Sequence, residues 1–399
     1  MFPAKNGDCF LIRCLGETNT NILVDLAYPS TYREHVKPRL QELHNNGEKL
    51  DLVVFTHVDQ DHIQGGITFF SENGESGKAT VIEIGEVWHN SYRHLGVADS
   101  EGKLDENQRL QVQRQSRYLE KDDEASSSTV SGKQGTRLGA LLYQHGYRWN
   151  QSFGGKAVGF GTEPVKIGEV TITVLSPTQA QLVALRKRWK KELTSIFSDI
   201  PLTEDEVFDD AVEFLSHYMK PKGIPNAAKK VSGVSSLKAL AESEFAEDPD
   251  EINGSSITFI LEYRGMKVLF LGDAPPTLIE QQLREVFPED EFPIHFDAVK
   301  VSHHGSKNNT SRELLACIDS PHYFVSTDGK IHGHPDPEAL ARIVVRETNE
   351  AVLMRNLYMT YPTTGAKAVD RDDWKKEFAY ELVVPESEKS VVITLEKTE

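Results

Sequence analysis

The chain has 399 residues, of which 38% are hydrophobic and 26% are charged, and this composition excludes a wholly disordered protein. Its formal net charge of −17 disfavours broad, sequence-independent binding to polyanions, because such binding depends on basic patches. The three cysteines, Cys9, Cys14 and Cys317, cannot form a disulfide framework and have no metal-like spacing. No signal peptide is visible, and no stretch approaches the roughly 18 apolar residues of a membrane span, so we expect a soluble, cytoplasmic protein without a membrane partner.

Short apolar segments separated by turns dominate the first part of the chain. The sequence predicts that residues 9–14 and 21–25 pair as a β-hairpin. A helix is predicted over residues 32–45, because apolar residues recur there at helical spacing and the segment ends in Asn-Asn-Gly. Residues 52–55 are continuously apolar, which is typical of a strand buried on both faces, and residues 81–88 are a further strand candidate.

Two polar segments, residues 97–160 and 178–250, lie on either side of a predicted strand at 170–175. We expect both to be insertions in one elaborated domain that comprises residues 1–399. The second insertion opens with a basic helix over residues 186–191, which contains a tryptophan. This helix could contact a polynucleotide backbone and stack a base, but a solvated helix that packs its tryptophan inward is the favoured interpretation.

Regular alternation returns after residue 250 with two predicted strands, 257–263 and 267–271, that flank an Arg-Gly turn. The remaining predicted elements, in chain order, are helix 276–286, strand 296–301, helix 312–318, strand 323–326, helix 338–348 and strands 378–383 and 390–395. This mixed order of helices and strands is typical of an α/β (α+β) fold, in which helices cover a core of β-sheet.

The segment with the clearest chemistry lies directly after the predicted strand at 52–55. His57, Asp59, Asp61 and His62 place four metal-capable side chains within six residues. A tight loop after a strand can direct all four into one pocket, which a straight helix or strand could not do. The alternative is a polar surface loop, but so many ligand types beside a buried strand favour a metal site.

The pattern His57-x-Asp59-x-Asp61-His62 resembles the signature His-x-His-x-Asp-His of the metallo-β-lactamase-fold hydrolases. Asp59 departs from the commonest form, and it matches a branch that includes the soluble domain of ComEC-type competence DNA-uptake proteins. An aspartate in place of a histidine contributes a hard oxygen ligand. This shifts the preference toward manganese or mixed metal, relative to an imidazole-rich zinc site.

Further segments follow the order of that branch along much of the chain. They are Gly7-Asp8-Cys9 with residues 22–25, residues 253–257 with the strand that leads to Asp273, residues 299–306, and residues 332–335. The resemblance covers the two ends well and both predicted insertions poorly. It implies the four-layer αββα sandwich of the metallo-β-lactamase fold.

The resemblance also implies two divalent metal ions, zinc or manganese. One ion would be bound by His57, Asp59 and His89, which follows a predicted strand. His94 and a water molecule are the open alternatives to His89. Asp273, at the end of an apolar strand, would bridge the two ions, because one carboxylate can span cations about 3.5–4 Å apart.

The second ion would be bound by Asp61, His62 and either His303 or His304, and the sequence does not decide between the last two. Adjacent residues of a strand point to opposite faces, so both should not bind one ion unless the strand has already ended. The histidine that does not bind the ion would be free to touch the substrate.

Other residues are assigned to catalysis or substrate binding by the same resemblance. His334 would contact the substrate or transfer a proton, with a structural cap as the alternative, and Asp61 is a second catalytic candidate. Ser306 and Lys307 are placed among the substrate contacts. Asp25 would orient a ligating histidine by a hydrogen bond, or would be a turn residue at a strand end.

The predicted function is a metal-dependent hydrolase, with a phosphodiesterase or nuclease as first choice, in which a hydroxide held between two cations attacks the phosphodiester substrate. Single-stranded nucleic acid is the expected polymeric substrate. A small-molecule phosphodiesterase, acting on a cyclic nucleotide or a phosphocholine ester, is a rival because the chain is so acidic. A weakly catalytic metal-binding module whose insertions recruit a protein partner is the third possibility. If the protein is an enzyme, we expect the insertions to determine which substrate it accepts rather than to take part in the chemistry.

Overall fold

Two β-sheets form the centre of the fold, and helices cover both outer faces. The computed structural model describes residues 1–121, 137–218, 236–288, 292–349, 352–385 and 389–396. The strands in these residues are β1 (Phe10–Cys14), β2 (Thr20–Val24), β3 (Leu50–Val54), β4 (Ile84–Trp88), β5 (Val165–Ile167), β6 (Val170–Ser176), β7 (Thr258–Tyr263), β8 (Met266–Phe270), β9 (Ile294–His295), β10 (Ala298–Lys300), β11 (Ile318–Asp319), β12 (His322–Val325), β13 (Arg355–Met359) and β14 (Tyr380–Val383). The helices are α1 (Pro29–Thr31), α2 (Lys37–Asn45), α3 (Gln60–Asn73), α4 (Glu106–Lys121), α5 (Leu138–Gln144), α6 (Gln179–Ile196), α7 (Val207–Tyr218), α8 (Leu237–Ala241), α9 (Glu251–Gly254), α10 (Pro276–Val286), α11 (Arg312–Cys317), α12 (Pro337–Val344), α13 (Thr364–Val369) and α14 (Asp372–Phe378).

The first sheet has the order β1-β2-β3-β4, and the second has the order β14-β13-β12-β10-β8-β7-β6-β5. In the first sheet, β1 and β2 form the predicted antiparallel hairpin, and β3 and β4 continue it in parallel. In the second sheet, β14 through β8 are parallel, while β7, β6 and β5 are antiparallel additions. The carboxyl ends of β3, β4, β8 and β10 are the strand ends that carry the predicted metal ligands.

The inner faces of the two sheets share one hydrophobic cluster. Its members include Phe10, Ile22, Val54 and Trp88 of the first sheet and Ile172, Phe259, Leu261 and Phe270 of the second. The rings of Phe10 and Phe270 meet edge to face across the interface, with centroids 5.6 Å apart. The two sheets are therefore packed face to face, as in a sandwich.

Helices complete the sandwich on its outer faces. α2, α3 and α5 cover the first sheet, where Leu40, Phe69 and Leu142 pack in one cluster with strand residues. α8, α10, α11 and α12 cover the second sheet, where Leu240, Leu283, Leu314 and Leu340 do the same. The resulting order of helix, sheet, sheet and helix confirms the predicted αββα architecture.

The two predicted insertions pack against each other. α4 of the first and α6 and α7 of the second share a hydrophobic cluster that includes Val112, Trp189, Leu193, Phe208 and Leu215. α7 is rich in acidic residues, but Phe208, Val212 and Leu215 are buried on one face of this regular helix. Most members of this cluster therefore come from the two predicted insertions, and Val58 and Tyr92 join it from outside them.

The basic helix of the second insertion lies within α6. Trp189 is fully buried in the insertion core, which confirms the interpretation that the helix packs its tryptophan inward. Arg188 forms an ion pair with Asp250 at 3.2 Å, and Lys190 forms one with Asp99. Two of the five basic side chains are therefore already neutralised by carboxylates of the same chain.

Near the C-terminus one predicted strand is absent from the described residues, and strand β13 and helices α13 and α14 were not predicted. No strand is present in the described residues 389–396, so the strand predicted at 390–395 is wrong; Val391 makes two backbone hydrogen bonds to Met1 instead. Strand β13 opens with a charged residue. That residue, Arg355, is fully buried and donates to Asp319 at 2.8 Å, so a side-chain ion pair makes the polar position compatible with the sheet. None of the described helices is long and apolar enough to cross a membrane.

Candidate metal centre

The first side of the site is the loop between β3 and α3. β3 ends at Val54, Asp59 precedes the first residue of α3, and Asp61 and His62 lie in its first turn. α3 can approach the chain this closely only because residue 65 is glycine: a Cβ there would come within 2.0 Å of the carbonyl oxygen of Leu26. The tight loop predicted from the sequence is thus present.

The second side of the site follows β8 and β10. Asp273 comes shortly after β8, and it is buried. β10 ends at Lys300, and His303 and His304 lie in the next turn with φ values of 44° and 53°. Because the strand has ended and both residues adopt the left-handed conformation, the rule that neighbours point to opposite faces does not apply to them.

Four imidazoles converge on one carboxylate oxygen, Oδ2 of Asp273. Their Nε2 atoms lie at 3.7 Å for His57, 3.6 Å for His62, 3.8 Å for His303 and 3.7 Å for His304. These separations are too long for hydrogen bonds. They are close to about 3.4 Å, the separation of two ligands that each lie 2.1 Å from a tetrahedral cation.

The loop histidines are oriented by side chains behind them. Nδ1 of His62 lies 2.8 Å from Oδ2 of Asp25, so that the carboxylate holds the proton on Nδ1 and leaves the Nε2 lone pair facing the site. Thr56 Oγ1 donates to the same carboxylate at 2.8 Å and lies 3.1 Å from Nδ1 of His57, from which it can accept. Asp25 therefore forms a hydrogen bond to a candidate metal ligand, as expected if it orients a ligating histidine.

The histidines of the second side are oriented in the same manner. Nδ1 of His304 donates to the carbonyl oxygen of Ser326 at 2.8 Å. Nδ1 of His303 lies 3.0 Å from Oδ1 of Asn309 and 3.3 Å from Oδ2 of Asp248. In each case an oxygen acceptor fixes the proton on Nδ1, so both Nε2 atoms present lone pairs to the site.

Unpaired nitrogens mark the buried part of the site. Among the described residues, the Nε2 atoms of His57, His62 and His304 are buried and have no hydrogen-bond partner. Buried polar atoms without a partner are costly, and such atoms in a native structure require an explanation such as a missing ion. The donor set of imidazole nitrogens and carboxylate oxygens fits a divalent cation such as zinc or manganese.

Two residues of the site were missed as functional candidates in the sequence. Asp8, His62, Asp273 and His304 each offer one ligand atom, and these four atoms lie within 4.8 Å of one another. Asp8 also forms an ion pair with the buried Lys300, whose Nζ donates to the carbonyl oxygen of Gly272 at 2.9 Å and lies 3.6 Å from Oδ1 of Asp273. The signals were an aspartate two residues before β1 and a lysine at the end of the otherwise apolar strand β10.

Charge interactions in the pocket oppose the effect of burial on each pKa. Burial alone would raise the pKa of Asp8, but the positive charges of Lys300 and His304 lower it. Burial would lower the pKa of His304, but the carboxylates of Asp8 and Asp273 raise it to about 10. The pKa of Asp273 is held well below its usual range by the surrounding histidines, although burial acts against this. Protons and cations therefore compete for the same nitrogens in this pocket.

The two remaining carboxylates of the loop also reach the site. Asp59 Oδ2 lies 3.4 Å from Nε2 of His57. Asp61 Oδ2 lies 3.6 Å from Nε2 of His304 and accepts a hydrogen bond from Asn6 at 3.0 Å. The structure thus brings together seven of the eight residues that the resemblance assigned to metal binding: His57, Asp59, Asp61, His62, Asp273, His303 and His304.

His89 is placed differently. Its Nε2 lies 3.0 Å from Oε1 of Glu213 in α7, and both side chains are fully buried. Its ring stacks on Trp149, and the ring of His94 meets the edge of the same tryptophan. Metal binding by His89 remains a prediction, while its visible partner is a carboxylate of the second insertion.

The predicted substrate residues lie beside His303. The rings of His303 and His334 have centroids 5.3 Å apart, and Nδ1 of His334 lies 3.3 Å from Oδ2 of Asp336. Ser306 Oγ accepts a hydrogen bond from the backbone of Asn308 at 3.2 Å, and Lys307 Nζ lies 3.6 Å from Oε1 of Glu338. Their roles toward a substrate remain predictions.

Comparison with known proteins supports the fold and the family resemblance. The sequence profile of the metallo-beta-lactamase superfamily matches residues 3–130, which contain the whole first sheet and the loop 57–62. A segment of 97 residues is 33% identical to "ComE operon protein 3" of Bacillus subtilis (strain 168). That match covers 24% of this chain and only 12% of the length of the relative. The profile and the ligand cluster indicate a metal-dependent hydrolase, and the chain is a metallo-β-lactamase-fold protein that resembles ComEC-type proteins.

Proposed function

We propose that the chain is a metal-dependent phosphodiesterase, with nucleic acid as the first-choice substrate. The observation that carries this proposal is the convergence of four imidazole Nε2 atoms, within 3.6–3.8 Å, on a single oxygen of Asp273. All four rings hold their second nitrogen against an oxygen atom of the protein. Such a preorganised set of ligands is typical of a hydrolytic metal site.

The proposed ligands fall into two groups that share Asp273. His57 and Asp59 would hold one cation, with His89 as the predicted further ligand. His62 and His304, with Asp61, would hold the other. We place His304 rather than His303 among the ligands, because its Nε2 is buried and unpaired among the described residues and its side chain is 2% exposed, against 21% for His303.

The charge of the pocket supports a pair of divalent cations. Its carboxylates are Asp8, Asp25, Asp59, Asp61 and Asp273, and Lys300 brings one ammonium group. With neutral histidines these groups leave four negative charges, which two divalent cations would balance. An uncompensated cluster of this kind would be very costly to bury.

The chain's own residues would bind and orient the substrate around those cations. When bound, the cations would supply Lewis acidity toward the phosphoryl group. His303 and His334 are neighbours whose side chains are 21% and 13% exposed, so they can reach a molecule that arrives from solvent. Asp336 Oδ2 lies 3.3 Å from Nδ1 of His334, where its charge would stabilise the protonated imidazole.

A small phosphodiester is the second candidate substrate. It is favoured by the net charge of −17 and by the ion pairs that already engage Arg188 and Lys190 of the basic helix. Three basic side chains of that helix, Arg186, Lys187 and Lys191, are exposed and remain available to a polyanion. The cytoplasmic location and a protein partner for the insertions stay predictions.

Cleavage assays on metal-stripped protein resupplied with manganese or zinc test this proposal. We expect cleavage of single-stranded DNA, RNA or a small chromogenic phosphodiester to return with the metal, and to be absent from the Asp273→Ala variant. Return of activity on the small substrate alone would select the second candidate. Stoichiometric metal binding without cleavage of any of the three would contradict the proposed enzyme and favour a metal-binding module.

A further inference from the structure

We propose that the second insertion positions residues of the metal centre: Ser216 of α7 positions the metal-binding loop, and Asp248 positions His303, the histidine proposed to meet the substrate. This inference rests on the proposed metal site. It differs from the expectation that the insertions serve substrate choice, because both contacts reach groups of the metal pocket itself.

The contact through Ser216 is made to the metal-binding loop between two ligand candidates. Val58 lies between His57 and Asp59, and its side chain belongs to the hydrophobic core of the insertions. The Ser216 hydroxyl lies 2.9 Å from the carbonyl oxygen of Val58 and 2.7 Å from that of Glu213, and it donates to both in a shared hydrogen bond. The loop is therefore held to α7 by its backbone and by its central side chain.

α7 also holds the end of the neighbouring strand. Glu213, one turn before Ser216, contacts Nε2 of His89 at 3.0 Å and accepts a hydrogen bond from the backbone of Gly139 at 2.9 Å. His89 directly follows β4, which pairs with β3. A single helix of the insertion thus contacts the chain beyond the carboxyl ends of both strands that border the first side of the site.

The contact through Asp248 is made to His303. Oδ2 of Asp248 lies 3.3 Å from Nδ1 of His303 and accepts a hydrogen bond from Asn253 at 2.7 Å. The backbone of Asp248 donates to the carbonyl oxygen of Asn308 at 3.3 Å, which ties this segment to the turn after His304. Asp248 is therefore fixed in place, and together with Asn309, whose Oδ1 lies 3.0 Å from the same Nδ1, it keeps Nε2 of His303 directed toward Asp273.

The inference is tested by measuring Co²⁺ binding to full-length variants from which the resident metal has been removed. Chelator competition gives the affinity, and the visible absorption of bound Co²⁺ reports the arrangement of the ligands. We expect Ser216→Ala to weaken Co²⁺ binding about 10-fold and to change the spectrum, in line with the loss on removing a group that orients a ligand. Ser216→Thr, which keeps the hydroxyl, should restore both.

Ser195→Ala is the matched control. The Ser195 hydroxyl donates a hydrogen bond to the carbonyl oxygen of Glu192, three residues earlier, at 2.7 Å, as Ser216 does to Glu213. Ser195 lies on an exposed part of α6. We expect wild-type affinity and spectrum from this variant. Asp248→Ala should keep the wild-type Co²⁺ affinity and raise the KM for the phosphodiester, because His303 is a proposed substrate contact and not a proposed ligand. Asp248→Asn, which keeps an oxygen acceptor, should recover the KM.

Three outcomes distinguish this inference from the proposed function. A Ser216→Ala protein with a lower melting temperature but an unchanged affinity and spectrum would show that the insertion only stabilises the fold, and would overturn the inference. Wild-type protein that binds no metal would overturn both proposals. Wild-type protein that binds Co²⁺ with the expected variant effects, but cleaves no phosphodiester, would support the inference and overturn the proposed function alone.

Discussion

The two sides of the metal centre are built in different ways. On the first side, His57 and His62 are 3% and 0% exposed, and both are oriented by Asp25, directly or through Thr56. On the second side, a turn with left-handed backbone conformation presents one buried histidine, His304, and one partly exposed histidine, His303. Under the proposed function, this difference predicts a division of roles: the buried imidazoles would hold cations, and the exposed edge of the second side would meet the substrate.

The strongest test of this division is to remove the carboxylate that both sides share. Asp273→Ala should lose most of the bound metal and all cleavage activity, because Oδ2 of Asp273 is the common neighbour of all four imidazoles. Elemental analysis of the purified variant measures the metal content, with circular dichroism as the check on folding. Full metal occupancy in a folded variant would show that Asp273 is not a bridging ligand.

The second test compares the two neighbouring histidines directly. His304→Ala should reduce metal affinity at least about 100-fold, since it removes a ligand, whereas His303→Ala should keep the metal and lose mainly cleavage. Isothermal titration with Mn²⁺ and an assay on the same preparations separate these effects. Equal loss of metal from both variants would mean that both histidines are ligands, and the proposed division would have to be abandoned.

The third test addresses the orientation of the first side. Asp25→Asn keeps the size of the side chain but removes the charge that holds the proton on Nδ1 of His62. We expect metal affinity to fall about 10-fold to 100-fold, the range seen when a carboxylate behind a ligating histidine is changed. Chelator competition measures the loss, and unchanged affinity would assign Asp25 to the turn alone.

The smallest effect is expected from the surface of α6, away from both sides. Reversal of Arg186, Lys187 and Lys191 to Glu should weaken cleavage of a polynucleotide, flatten its salt dependence and spare a small phosphodiester. Arg188 and Lys190 are left intact because their ion pairs support the fold. Equal loss on both substrates would assign the helix a structural role, and no loss on either would remove this support for a polynucleotide substrate.

The first side could be predicted from the sequence and the second only in part. A contiguous motif after an apolar strand specifies its own geometry, because a short loop limits where four side chains can point. The choice between His303 and His304 depends on where β10 ends and on two positive φ values, which local sequence does not determine. The superfamily profile, which ends at residue 130, likewise covers the first side and not the second.

The contributions of Asp8, Lys300 and α7 show why the remainder was not predicted. Asp8 and Lys300 are far apart in sequence, and their ion pair exists only once the two sheets have packed together. α7 has an apolar face between its charged residues, and this face is buried in the hydrophobic cluster that contains Trp189. An ion pair between distant residues leaves no periodic signal in either segment, whereas the apolar residues of α7 do recur at helical spacing and were obscured by the charged residues between them.

The central claim is that the gathered imidazoles and Asp273 hold divalent cations, and a crystal soaked in Mn²⁺ tests it most directly. Anomalous diffraction at the manganese edge should show two peaks about 3.5–4 Å apart, one on each side of Asp273, with His57 beside one and His304 beside the other. A fully ordered pocket without an anomalous peak, after soaking at millimolar Mn²⁺ and neutral pH, would contradict the account.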